Sequence, residues 1–269
     1  MSYPKIFIAG LTKAFLSNSS VIAFTLVGSQ AREDRYKATK YSDMEAYVIA
    51  KDEDTEKVEK ELPELVGKFG KILFSFKHAI GFMAVYDDLF RLELPVIKAS
   101  GMEELFDRPT TQVVKVLIDK TNGKLEKVLN NRPETIDYAK DFDDKVTNFW
   151  NWQIIGVQYF KKGEIYNTRA VLNIHASTLI KLFELLNDPS ILLLEANKRV
   201  EQFLTREQLK LLEEVTPAYN ERQIELALRR IMEIIPGTIK LIKEKHGYVY
   251  NETLEEKVKP KLLELLDQK

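Results

Sequence analysis

Apolar positions fall into short runs and alternations over the first half of the chain and recur at three- and four-residue spacing over the second. Lys5 to Leu16 carries apolar groups at helical spacing and stops at the turn cluster Ser17-Asn18-Ser19-Ser20, which predicts a first helix. An apolar run, Val21 to Val27, then ends in Gly28-Ser29; a polar, basic insertion leads to Ser42-Asp43-Met44-Glu45 and a second apolar run, Ala46 to Ala50. These read as two strands. Asp52 to Phe69 places Val58, Leu62, Leu65 and Val66 on one helical face, and Pro63 inside it predicts a kink or a split. Lys71–Lys77, Phe82–Tyr86, Leu89–Ile97 and Val113–Asp119 are four more strands, with Asp87-Asp88 as a short hairpin connection. Pro95 suits an edge strand or a strand end, because it has no N–H to give to a ladder.

After Arg132-Pro133 the pattern changes. Helical periodicity runs through Tyr138–Lys161, Glu164–Leu186, Pro189–Leu204, Arg206–Val215, Glu221–Lys245 and Glu252–Leu266, with breaks at Gly163, Asn187-Asp188-Pro189, Thr216-Pro217 and Gly247. The fold class expected is α+β: a sheet-containing domain over 1–132 and a helical domain over 133–269.

Composition narrows the class without naming a function. The 269 residues are 45% hydrophobic and 30% charged, the proportions of a soluble globular protein. A net charge of -1 gives no global basic field, so nucleic acid is not an expected partner. The absence of cysteine rules out disulfides and thiolate metal sites. No apolar run approaches the ~20 residues that span a bilayer, and Lys13 interrupts the apolar N-terminus, so a cytoplasmic protein with no membrane partner is expected.

Candidate chemistry gathers in the opening strand pair. Asp43 and Glu45 are two apart, so on a strand they project to one face. They do so beside the Gly28-Ser29 turn, where backbone can approach phosphate. One or two carboxylates plus substrate phosphates is how proteins usually hold Mg²⁺.

The spacing Gly28-Ser29, thirteen residues, Asp43-Met44-Glu45 resembles the signature of the nucleotidyltransferase superfamily, the fold of DNA polymerase β. Within it the chain is most similar to antibiotic nucleotidyltransferases, the lincosamide type and next the streptomycin adenylyltransferases. The likeness extends to Asp87-Asp88-Leu89-Phe90-Arg91-Leu92-Glu93 and, weakly, to Phe160–Tyr166 and Arg169. The resemblance implies a mixed-sheet catalytic domain followed by a helical bundle, and transfer of AMP from ATP to a small-molecule hydroxyl with Mg²⁺. The acceptor it implies is an antibiotic, and it leaves a homodimer open. It also implies a third carboxylate, for which Glu93 is the candidate and Asp87 and Asp88 are rivals. Glu93 would bind the second ion or take the proton from the attacking hydroxyl, and the lincosamide match favours the latter. Gly28 and Ser29 would face the triphosphate, Ser29 the more so if Gln30 to Arg35 opens a helix. Arg32, Arg35, Lys37 and Lys40 would neutralise pyrophosphate, Arg32 first because it is nearest the turn.

Other features have plainer readings. Phe149-Trp150-Asn151-Trp152 divides into two helical stripes, which predicts a central bundle helix buried on both faces; the sharper reading makes one stripe a pocket wall between the domains. Asp141, Asp143 and Asp144 suit a helix start. Arg169 and His175 have the R-x5-H spacing of ribonuclease toxins, without the Asn that normally follows the Arg. His78 and His246 have no recognisable partner. No phosphate-loop lysine motif, dinucleotide fingerprint, zincin motif or nucleophile elbow is present. Two alternatives stand beside antibiotic modification: transfer to a protein or RNA end, and nucleotide binding without turnover.

Overall fold

The structure is a computed structural model that describes residues 3–33, 37–78, 81–106, 113–131, 138–188 and 200–268. The chain divides into two compact units, Met1–Thr135 and Ile136–Lys269.

The first unit is built on a mixed seven-stranded sheet: β1 (Val21–Val27), β2 (Met44–Ala50), β3 (Ile72–His78), β4 (Gly81–Tyr86), β5 (Arg91–Leu94), β6 (Val96–Lys98) and β7 (Lys115–Asp119). The order is β3-β4-β5-β2-β1-β7, and β6 also pairs with β2. β2 runs parallel to β5 and β6, while β1–β2, β1–β7, β3–β4 and β4–β5 are antiparallel. One face is covered by α1 (Tyr3–Ser17) and α2 (Thr55–Gly67). Phe7, Leu11 and Phe15 of α1 and Val58, Leu62 and Val66 of α2 bury against Phe24, Leu26, Ala46, Val48, Ala84, Leu92 and Leu94. The other face is covered over β1, β2, β6 and β7 by Met102 and Phe106 of α3 (Met102–Phe106) and Leu125 of α4 (Lys124–Asn130), around Ala23 and Ile49. Among the described residues that second layer does not reach β3, β4 and β5.

Two prolines have opposite outcomes. Pro63 does not split α2: it lies exposed in one helix, with the buried Leu62 and Val66 anchoring the turns on both sides. Pro95 does break its strand, separating β5 from β6. Its nitrogen lies on the β2 side and has no hydrogen to give to that ladder, so the pairing with β2 is interrupted between Glu93 and Val96. Its carbonyl still accepts from Val48 N at 3.0 Å.

The second unit is helical: α5 (Tyr138–Lys161), α6 (Ile165–Asn187), α7 (Val200–Phe203), α8 (Arg206–Val215), α9 (Glu221–His246) and α10 (Thr253–Asp267). Most of the expected Pro189–Leu204 helix lies outside the described residues. α8 starts on a reciprocal cap, Thr205 Oγ1 accepting from Gln208 N and Gln208 Oε1 accepting from Thr205 N. The two-stripe reading of α5 is corrected. Phe149, Trp150, Gln153, Gly156 and Val157 form one buried arc, because 149, 153, 156 and 157 fall on one side at 100° per residue. Trp152 points off that arc and is 36% exposed, so α5 is buried on one face only. Gly156 sits where a Cβ would lie 2.9 Å from Val171 Cγ1, which brings α5 and α6 close.

Among the described residues of this bundle, His175 and Glu184 are buried ionisable groups. His175, fully buried with its ring edge-on to Phe149, has no hydrogen-bond partner for either ring nitrogen among the described residues; burial lowers its pKa to about 3. Burial raises Glu184 to about 7, opposed by the Lys181 charge. The signs are opposite. Unfolded His175, at 6.5, takes up a proton that the folded group refuses, so its contribution to stability falls as pH drops from 6.5 toward 3. Folded Glu184 keeps a proton that the unfolded group, at 4.5, releases, so its contribution falls as pH rises from 4.5 through 7. Each slope reaches roughly 1.4 kcal/mol per pH unit at most. Between pH 4.5 and 6.5 they cancel, and denaturant midpoints of this unit should be nearly flat with pH. Glu184→Gln should convert the plateau to a rise with pH, and His175→Leu to a fall; a plateau surviving both changes would remove this account.

Candidate active site

The site is assembled at the ends of β1, β2 and β5. β1 leaves the sheet at Gly28, whose φ of +63° turns the chain into a single 3₁₀ turn, Gly28–Ala31. A Cβ at Gly28 would stand 2.9 Å from Glu45 Oε2, so the glycine supplies both the left-handed turn and the room for that carboxylate. The condition that Gln30 to Arg35 open a helix is not met among the described residues: the chain is already extended at Arg32, with φ -93° and ψ 147°. Ser29 therefore sits in a tight turn, not at a helix N-terminus. Its carbonyl accepts from Ala38 N at 2.9 Å, closing the insertion back on the turn.

Gln30 is a residue the sequence did not single out. Its Nε2 donates to the Asp43 carbonyl at 3.1 Å, fastening the start of β2 to the turn after β1. Asp43 immediately precedes β2 and Glu45 is its second residue. Val27 pairs with Glu45 across β1–β2, and Glu45 pairs with Glu93 across β2–β5. Paired residues share a face, so Glu45 and Glu93 stand side by side on the face opposite the α1–α2 layer. Asp87 and Asp88 stay at the β4–β5 turn, where Asp88 Oδ1 accepts from Phe90 N at 3.1 Å. The register thus brings Glu93, and not its rivals, to Asp43 and Glu45.

Arg91 is, after Gln30, a second such residue. Its Nη2 bonds Asp43 Oδ2 at 2.7 Å and Glu93 Oε1 at 2.8 Å, so one guanidinium spans two of the three carboxylates. The sequence signal was its i, i+2 relation to Glu93; the contact with Asp43 depends on a pairing 48 residues away. The donor set suits a hard divalent cation, which takes carboxylate oxygens. Among the described residues no three acidic or histidine side chains converge on one point, and the Arg91 charge lies between Asp43 and Glu93. Holding a metal there requires the guanidinium to move aside.

Lys40 Nζ lies 4.7 Å from the centre of the Tyr41 ring, Lys37 is exposed, Arg32 is half-buried, and Arg35 lies outside the described residues. In the second unit Arg169 is exposed and His175 fully buried, on different sides of α6, so the R-x5-H pair does not assemble. Asp143 Oδ1 accepts from Asn251 N at 2.9 Å, a structural bond. His246 stacks on Tyr248, and the His78 side chain lies outside the described residues.

A mixed sheet with a Gly-Ser turn, a following D-x-E strand and a third acid in parallel register is the organisation of a nucleotidyltransferase. The family model for streptomycin adenylyltransferase matches residues 10–264, nearly the whole chain. The protein belongs to that family and is a nucleotidyltransferase enzyme. A crystal structure of an aminoglycoside 6-adenyltransferase from Bacillus subtilis aligns over 100% of both chains at 15% identity and a TM-score of 0.45. Among curated proteins no sequence matches. Among the described residues no helix is long and apolar enough to cross a membrane.

Proposed function

We propose that this enzyme transfers AMP from ATP to a hydroxyl of an aminoglycoside antibiotic and thereby inactivates it. The observation that carries the reading is the side-by-side register of Glu45 and Glu93, with Asp43 joined to Glu93 through Arg91, next to the Gly28 turn. The aminoglycoside acceptor follows from the family. Residues 1–132 form the catalytic domain in this reading, and 133–269 serve acceptor binding.

The acceptor oxygen attacks the α-phosphorus, a new P–O bond forms, and the bond to pyrophosphate breaks in line with it. Glu93 accepts the hydroxyl proton. Asp43 and Glu45 would hold Mg²⁺, with Glu93 able to share a second ion; when bound, the metal neutralises phosphate charge. Gly28 and Ser29 lie against the departing phosphates, where Arg32 and Lys40 add positive charge. Arg91, released from Asp43 and Glu93, becomes available to the phosphates.

A thermal-shift screen of antibiotics with MgATP, followed by mass spectrometry of each hit, tests this. The expected product is an aminoglycoside heavier by one adenylyl group, with one pyrophosphate released per turnover. Aminoglycosides that neither stabilise the protein nor gain mass, while a protein or RNA end does, would overturn it.

A further inference from the structure

The carboxylate face of the sheet does not end at β5. Glu93 pairs with Met83 and Arg91 with Val85 on β4; Met83 pairs with Phe76 and Val85 with Phe74 on β3. One row therefore runs Glu45–Glu93–Met83–Phe76, and the next Arg91–Val85–Phe74, all on one face. β3 lies at the edge of the sheet among the described residues. Its polarity is inverted: Ser75 and Lys77 take the side of α2, where Lys77 pairs with Glu59 at 2.7 Å, while Phe74 and Phe76 face away from the core. An irregularity in register between Ile72 and Phe74 produces this, keeping Ile72 on the core side and shifting Phe74 off it. Phe74 and Phe76 are 53% and 42% exposed, with rings 21° from parallel and centroids 6.2 Å apart.

In-line geometry says what belongs there. With pyrophosphate departing over the Gly28 turn at the end of β1, the attacking oxygen must approach from the far side of β2, over β5. The rest of the acceptor then extends over β4 and β3, two strand spacings or about 10 Å beyond Glu93. We propose that Phe74 and Phe76, floored by Met83 and Val85, form an acceptor subsite that takes a cationic, guanidinium- or ammonium-bearing molecule against the ring faces. The ring quadrupole attracts such groups, and the neighbouring acidic cluster favours the same sign. This rests on the nucleotidyl-transfer reading for the direction of attack.

The test is calorimetric titration of streptomycin, and separately of a non-hydrolysable ATP analogue with Mg²⁺, into the wild type and Phe74→Ala, Phe76→Ala and doubly Phe→Leu variants. Each alanine should weaken streptomycin about fivefold, the leucine pair should also weaken it, and Phe76→Tyr should keep the wild-type affinity. Nucleotide affinity and Tm should stay unchanged. Four results would overturn the proposal: no streptomycin binding by the wild type, unchanged streptomycin affinity in the alanine variants, full retention with leucine, or an equal loss of nucleotide affinity. Loss of self-association in sedimentation with streptomycin affinity intact would assign the rings to a subunit contact instead, which also overturns it. A wild type that adenylylates streptomycin while the variants bind it normally refutes the subsite alone. Ring-dependent streptomycin binding with no transfer refutes the catalytic reading alone.

Discussion

Asp43→Asn should reduce nucleotidyl transfer on the order of 10³-fold or more while leaving Tm nearly unchanged. The change removes one charge and almost no volume. Gln30 holds the Asp43 backbone carbonyl, which the substitution does not touch, so the start of β2 stays fastened to the turn after Gly28. Arg91 retains Glu93, and its partner at position 43 is partly exposed, so no buried charge is stranded. On the proposed site assignment, what is lost is an anionic oxygen ligand where phosphate charge must be neutralised, and an amide oxygen is a poor substitute for it. The assay is product mass under saturating ATP, with a thermal melt in parallel. A variant with wild-type turnover would remove Asp43 from the metal site; one that melts far below the wild type would recast it as structural.

Gly81→Ala should destabilise the first unit by roughly 2–4 kcal/mol, the largest stability effect expected from adding one methyl group. Gly81 has φ +146°, a region closed to residues with a Cβ, and a Cβ there would lie 2.4 Å from Pro95 Cα and 2.7 Å from Pro95 Cβ. Those atoms belong to backbone and a rigid ring, so neither can swing away as a long side chain would. The strain falls at the break between β5 and β6, two residues after Glu93, so activity should decline along with stability. Urea melts of the variant, with turnover measured well below the transition, separate the two effects. Equal midpoints for variant and wild type would show that the approach of Gly81 to Pro95 relaxes freely.

The features legible in the sequence are those fixed by neighbours along the chain. The run Val21–Val27 closing on Gly28, the D-x-E entering β2, the short β4–β5 connection at Asp87-Asp88 and the limits of α5, α6, α8, α9 and α10 all follow from local pattern, and the structure has them. Glu93 was legible because Leu92 and Leu94 had to take the buried face and leave it the other. Features set by pairing between distant segments were not. The Arg91 bridge needs the β2–β5 register, which no local window contains. Phe74 and Phe76 were read as ordinary strand residues because an alternating pattern does not reveal the slip after Ile72 that turns them from the core. Trp152 leaves the buried arc of Phe149 because three residues on a helix turn through 300°, enough to carry it to solvent.

The β2–β5 seam has a consequence for how the enzyme comes into being. The segments that carry Asp43 and Arg91 are 48 residues apart, and parallel strands cannot be joined by a tight turn. The β1–β2 pair and the β3–β4–β5 meander can each be drawn together by nearer neighbours, but each holds only part of the charge set. Asp43 and Glu45 belong to the first and Arg91 and Glu93 to the second. Closing the seam is a long-range step that must overcome the entropy of a large loop. On the proposed site assignment, turnover during refolding should recover with the β2–β5 pairing and not with the helical signal.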